Sequence, residues 1–183
     1  MIVGSEEWLK FRRSKIGASD APIIMEESPW TTPMQLYEQK VYGFEIPDNP
    51  YMQRGRELEP IALKSFEDSF GYIMFPMVIM HKSIEYMVAS IDGMTLDKKH
   101  AVEIKCAGKR DHFMALNGIV PSKYKAQLQH QMEVCQLDSI NYYSFDGEEG
   151  VNIIVNRDQD YINILLDREE WFWYCLKNLK TPR

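Results

Sequence analysis

Two short β-rich runs, residues 86–92 and 101–106, joined by the mostly polar stretch 93–100, constrain this chain more than any other feature. Side chains alternate across a strand, so Val102, Ile104 and Cys106 take one face while Glu103 and Lys105 share the other. A hairpin brings Asp92, within Ser90-Ile91-Asp92-Gly93, close to that acid and that lysine. Two carboxylates converging beside an ammonium suit a divalent cation with a water to be oriented or deprotonated. The same Glu-x-Lys tripeptide also arises on a half-exposed strand as a solvated surface pair. What flanks the hairpin decides between the two.

Composition narrows the class. Of 183 residues, 45% are hydrophobic and 12% aromatic, which excludes global disorder and predicts a single domain over residues 1–183 with a sizeable core. No apolar run approaches the roughly 20 residues that span a bilayer. The start, Met1-Ile2-Val3-Gly4-Ser5, lacks the basic and apolar regions of a signal peptide, so a cytoplasmic protein without membrane contact is expected. Cys106, Cys135 and Cys175 are odd in number and form no close pair, against a disulfide framework or a zinc site. His81, His100, His112 and His130 show no metal-ligand spacing and read as surface or helix residues. The net charge of −6 is unevenly spread: residues 146–170 carry a net −6, whereas 103–125 carry +3 and 5–15 carry +2. Screening over about 8–10 Å lets such patches outweigh the total, so anionic partners stay open.

Along the chain, Ser5 can cap a first helix bearing Trp8, Leu9, Phe11 and Arg12, with a second start at Ser19-Asp20-Ala21-Pro22. Thr32-Pro33-Met34-Gln35 opens a third helix that Gly43 ends. A fourth covers 52–70, with Leu58, Ile61, Ala62, Phe66 and Phe70 at helical spacing, Gly71 as its stop, and Pro60 at a first turn or kink. Strands follow at 72–80, 86–92 and 101–106, the first demoted by Pro76 to an edge or bulged strand. Then come a helix at 122–137, a hairpin of 140–145 with 151–156 around Asp146-Gly147, and a helix at 158–179. Tyr161, Ile162, Leu165, Leu166, Phe172, Leu176 and Leu179 form the stripe of that last helix. The pattern predicts an α/β (α+β) fold, a mixed central β-sheet flanked by helices.

Three further groups could join the hairpin. Glu59 borders the apolar face of its helix, where it would serve either as a third acid or as a glutamate favoured by the helix dipole. Tyr124, Gln127 and Gln131 make a polar stripe that binds a water, phosphate or base edge, or merely bounds an amphipathic helix. In Arg12-Arg13-Ser14-Lys15-Ile16-Gly17-Ala18-Ser19, the Gly17 backbone allows a tight turn and Ser19 starts a helix whose N–H groups attract an anion. The arginines could close on the same phosphate, or they could be solvated on a plain loop.

Taken in order, these pieces resemble the PD-(D/E)XK nuclease superfamily, with its restriction-endonuclease-like fold. More closely they resemble the lambda-exonuclease-like, YqaJ-type viral recombinase family. The resemblance rests on Arg12 with Ile16-Gly17-Ala18-Ser19, Gly55-Arg56-Glu57-Leu58-Glu59-Pro60, Ser90-Ile91-Asp92-Gly93, Val102-Glu103-Ile104-Lys105 and Tyr124-Lys125-Ala126-Gln127-Leu128-Gln129. It spans about residues 8–135. Ile91 stands where the superfamily's name has a proline.

The resemblance implies a set of roles. Asp92, Glu103 and the Ile104 carbonyl would hold Mg²⁺ (or Mn²⁺), as a pair of ions, with Glu59 assisting; Lys105 would activate the attacking water and Gln127 support the site. Arg12, Ser19 and Ser90 would receive the 5′-phosphate of a DNA end, with Tyr124 beside the site. The implied enzyme is a metal-dependent exonuclease digesting the 5′-ended strand of double-stranded DNA and leaving a 3′ overhang for a single-strand annealing protein. A homotrimer of phage or prophage origin, working in the bacterial cytoplasm, goes with it. Two rivals remain: an endonuclease of restriction or junction-resolving type, which has no need of a 5′-phosphate pocket, and a non-catalytic DNA-binding protein.

Overall fold

The computed structural model describes residues 5–44, 47, 49–106 and 108–182. Helix α1 (Glu6–Arg13) starts on Ser5, whose hydroxyl accepts the Trp8 N–H at 3.2 Å. A two-residue strand β1 (Ile16–Gly17) and a single turn α2 (Ala21–Ile24) follow. Helix α3 (Pro33–Tyr42) carries the full reciprocal cap between Thr32 and Gln35, and Gly43 ends it with φ 75°. Helix α4 (Pro50–Phe70) begins two residues earlier than expected, because Asn49 caps it and Pro50 takes its first position. Pro60 therefore falls in the interior of α4.

Strands β2 (Phe75–Met80), β3 (Met87–Met94) and β4 (Ala101–Lys105) come next. Helix α5 (Lys109–Leu116) and a 3₁₀ turn (Ser122–Tyr124) lead into α6 (Lys125–Cys135). The hairpin β5 (Ser139–Phe145) and β6 (Gly150–Asn156) and the helix α7 (Gln159–Lys177) complete the order. The expected mixed sheet flanked by helices is the fold observed. Its order is β1-β3-β4-β5-β6, with β2 on the other edge of β3. β1 and β3 run parallel, as do β4 and β5; the remaining pairs are antiparallel. The register of β2 on β3 slips between Phe75 and Met77, which is the bulge that Pro76 demands.

Two cores cover the two faces. The larger one joins Ile16, Leu36, Met87, Ile91, Leu128, Met132, Tyr142 and Phe172; the smaller packs Ala62 and Phe66 of α4 on Val102, Ile104, Tyr143 and Phe145. Strand alternation in β4 is thus realised as expected, with Val102 and Ile104 turned to α4. Gly93 is required by close approach, since a Cβ there would lie 2.8 Å from Leu63 Cδ1 and 2.9 Å from Val102 Cγ1.

Three expectations need correction. Residues 72–74 stay outside β2, and the 122–137 helix is a 3₁₀ turn before α6, ended by Gln136 with φ 56°. α7 stops at Lys177, so Leu179 leaves the apolar stripe and is exposed. His112 and His130 lie in helices, as expected, and both are buried. No helix among the described residues is long and apolar enough to cross a membrane.

Candidate active site

β3 and β4 pair only at Gly93↔Val102 and Met94↔Ala101 and then diverge, because β4 turns to follow β5 from Val102 to Lys105. The divergence opens a fork. Asp92 bridges it: its Oδ2 accepts the Ile104 N–H at 2.8 Å, replacing the ladder bond that the parting strands leave unmade. On the α6 side of β4, Glu103 is buried and collects three donors. Gln127 Nε2 and the Lys105 ammonium both reach Oε1, the former at 2.6 Å, and Gln131 Nε2 reaches Oε2 at 2.5 Å. Gln127 and Gln131 are one helical turn apart on α6, so a single helix face grips both carboxylate oxygens.

The charges are packed tightly. Burial, and after it the negative charge of Glu103, pushes the Asp92 carboxyl well above the usual carboxylate range. Glu59, on α4 with its surface open to solvent, is shifted upward by partial desolvation and then by the same Glu103. For Lys105, burial works against the ammonium, but Glu103 and Asp92 outweigh it and the pKa rises. Holding two carboxylates together out of water costs free energy that a divalent cation between them would remove. Among the described residues no three His, Cys, Asp or Glu side chains are gathered as a metal cage. The donor set nonetheless fits Mg²⁺, which takes one or two carboxylates and completes its octahedron with waters and substrate phosphate.

A cleft of about 170 Å³ runs from these acids to the start of the chain, lined by Trp8, Arg12, Gly17, Ala18, Ser19, Val88, Ser90, Asp92, Glu103 and Gln127. Arg12 Nη2 donates to Ser19 Oγ at 2.6 Å, so the guanidinium and the hydroxyl already stand side by side in it. The loop that presents them is fixed from behind. Lys40 of α3 pairs with Asp20 at 2.8 Å, both side chains only 6% exposed, and donates to the Lys15 carbonyl at 2.7 Å. Asp20 Oδ2 in turn accepts the Gly17 N–H at 2.9 Å. Burial opposes the Asp20 charge, but Lys40 and Arg12 overcome it and lower its pKa.

The fold therefore brings Arg12, Ser19, Ser90, Asp92, Glu103 and Gln127 onto one cleft, with Lys105 against Glu103. Glu59 and Tyr124 are not among its lining residues. Tyr124 stands on the far side of Lys105, its ring 5.1 Å from Nζ, and its hydroxyl donates to Asp111 at 3.3 Å. The sequence marks Asp20 only as part of a helix start and gives no sign of its pairing with Lys40, since no local pattern links two residues twenty apart on different elements. Gln131 had a signal, its spacing of four from Gln127, but either glutamine could equally have faced solvent.

Known proteins resemble this chain in sequence and in fold. Residues 7–138 match the YqaJ-like viral recombinase domain, and the chain belongs to that family. A crystal structure of an alkaline exonuclease (LHK-Exo) from Laribacter hongkongensis superposes with a TM-score of 0.81 at 27% identity, covering 95% of this chain and 93% of that one. The same protein has been solved in complex with dAMP, with a TM-score of 0.82 at 27% identity and the same coverage. The fold is thus the nuclease fold of that exonuclease. The YqaJ protein of Bacillus subtilis (strain 168) is 27% identical over 175 residues, which are 92% of this chain and 55% of that protein. The chain thus spans about half the length of that relative.

Proposed function

We propose that this protein is a Mg²⁺-dependent exonuclease that digests the 5′-ended strand of linear double-stranded DNA and leaves a 3′ overhang. One observation carries the reading: a single cleft joins a preformed Arg12–Ser19 pair to the Asp92–Glu103 acids. A guanidinium and a hydroxyl make a fork for a terminal phosphate, and a cleavage site opening onto that fork favours attack near a 5′ end over attack within a duplex. Ser90, exposed on β3 between the two, would add a donor to the phosphate.

In this reading Asp92, Glu103 and the Ile104 carbonyl would hold Mg²⁺ (a pair of ions in the full complement), with Glu59 assisting. The metal supplies charge neutralisation at the scissile phosphate and a more acidic water. Lys105 would orient the attacking water and stabilise the charge that develops on the phosphate. Gln127 and Gln131 keep Glu103 in place; with Lys105 they fill both sites of Oε1 and one of Oε2, which leaves one for the cation. Tyr124 braces Lys105 by its ring face. A homotrimer encircling the DNA, delivery of the overhang to a single-strand annealing protein, and work in the cytoplasm of a phage-bearing bacterium complete the reading.

The test is digestion of linear duplexes by the purified chain with Mg²⁺, comparing 5′-phosphate with 5′-hydroxyl ends and with closed circular DNA. Phosphorylated linear DNA should be consumed fastest and circular DNA spared. Arg12→Ala should shrink the contrast between the two ends, a charge-assisted contact being worth about 1.5–3 kcal/mol. Cutting of closed circles at the linear rate would replace this reading with an endonuclease.

A further inference from the structure

Trp30 is 71% exposed, yet it is not on a loose loop. Ser28 Oγ accepts both the Trp30 N–H and the Thr31 N–H at 3.3 Å, and the Ser28 N–H bonds the Pro22 carbonyl at 2.9 Å. An indole displayed on a tied-down backbone has lost nothing by being in water only if something else covers it. What stands beside it is a cation: Lys123 Nζ lies 4.7 Å from the centre of the Trp30 ring. Lys123 is itself fixed by Asp111 at 2.6 Å, and its Nζ is also 5.1 Å from the Tyr124 ring. The Tyr124 ring centre is also 5.1 Å from Lys105 Nζ.

Lysine and aromatic rings thus alternate from the edge of the acids outward: Lys105, Tyr124, Lys123, Trp30. Asp111 ties two members of this row together, accepting from the Tyr124 hydroxyl as well as pairing with Lys123. Single-stranded nucleic acid is recognised by such a series, bases stacking on aromatic faces while cations follow the phosphates. We infer that Trp30 is a stacking platform for a nucleobase of the DNA strand next to the reaction site, with Lys123 on that nucleotide's phosphate. The inference rests on the nuclease reading for the direction in which the strand runs, but the platform is a binding site and can be measured without cleavage.

The measurement uses the whole chain in EDTA and a fluorescent duplex with a single-stranded tail, its tail bases either present or replaced by abasic sites. The wild type should bind the base-bearing tail about tenfold more tightly than the abasic one, the scale of one stacked base. Trp30→Ala should lose that factor and no longer tell the two tails apart, while Trp30→Phe retains most of it. Lys123→Gln should lower the slope of log affinity against log salt by about the contribution of one phosphate. Trp30 is so exposed that its removal leaves the core untouched, and an unchanged thermal midpoint verifies this. Equal affinity of Trp30→Ala and the wild type for the base-bearing tail would overturn the platform, as would absence of DNA binding by the wild type. Digestion with Mg²⁺ is scored separately, so an inert wild type that still distinguishes the tails in EDTA sinks only the nuclease reading.

Discussion

At the scale of single residues, Asp92 and Glu103 are not equivalent carboxylates. Glu103 is held by three donors and needs its charge, because an amide in its place would turn an NH₂ group toward Lys105 or toward one of the glutamines. Asp92 has one backbone donor and suffers from its neighbour, so its charge is a burden on the metal-free fold. Asp92→Asn and Glu103→Gln should both abolish Mg²⁺-dependent hydrolysis, yet move stability in opposite directions. The Asn variant should melt a few degrees higher, on the order of 2–4 °C per kcal/mol relieved, and the Gln variant lower. Thermal denaturation without metal checks the sign, and a Glu103→Gln variant as stable as the Asn variant would contradict it. In the sequence, strand alternation puts Glu103 and Lys105 on one face and the hairpin brings Asp92 near them, while the flanking motifs are needed to set a site apart from a surface pair. Helical spacing puts Gln127 and Gln131 on one stripe but not on Glu103, since which stripe of α6 meets the sheet depends on tertiary packing rather than on period.

Among the elements, the loop between α1 and α2 has the least structure of its own and the most to position. Its order comes from Lys40, which α3 sends between the Asp20 carboxylate and the Arg12 and Lys15 carbonyls. Lys40→Met leaves a buried, unpaired Asp20, a loss of about 3–5 kcal/mol for a broken buried pair. Adding Asp20→Asn should recover much of the thermal midpoint but not the preference for 5′-phosphorylated ends, because the carbonyl anchors stay lost. Recovery of both would reduce Lys40 to a structural counter-ion. Capped helices and the Pro76 bulge were readable locally, each being fixed by one or two residues. β1 and α5 were not. A two-residue strand exists only through its pairing with Met87 and Val88, and α5 buries only His112 and Ala115 of its eight residues, too few to show a period.

For the molecule as a whole, the site's parts come from three distant stretches that a buried pair helps to lock. His130 of α6 donates to Glu169 of α7 at 2.7 Å and to the Val88 carbonyl of β3 at 3.1 Å, and Val88 pairs with Gly17 of β1. Burial alone would lower the His130 pKa, but Glu169, then the Val88 carbonyl and the charge of Asp20, reverse this and raise it. A raised histidine stabilises fully below its unfolded pKa of about 6.5 and loses that contribution as pH climbs through the folded value. The wild-type thermal midpoint should therefore decline above about pH 6.5, whereas Glu169→Leu should start roughly 10 °C lower and lose less over the same window. A parallel decline in both, followed by calorimetry, would remove the pair from the stability balance. The fork between β3 and β4 has the opposite character to this lock. Its rung is a side chain, Asp92 on the Ile104 amide, where the neighbouring rungs at Gly93 and Met94 are backbone. The seam between the two strands is therefore closed at that level by an acid, and removing the carboxylate removes the rung with it.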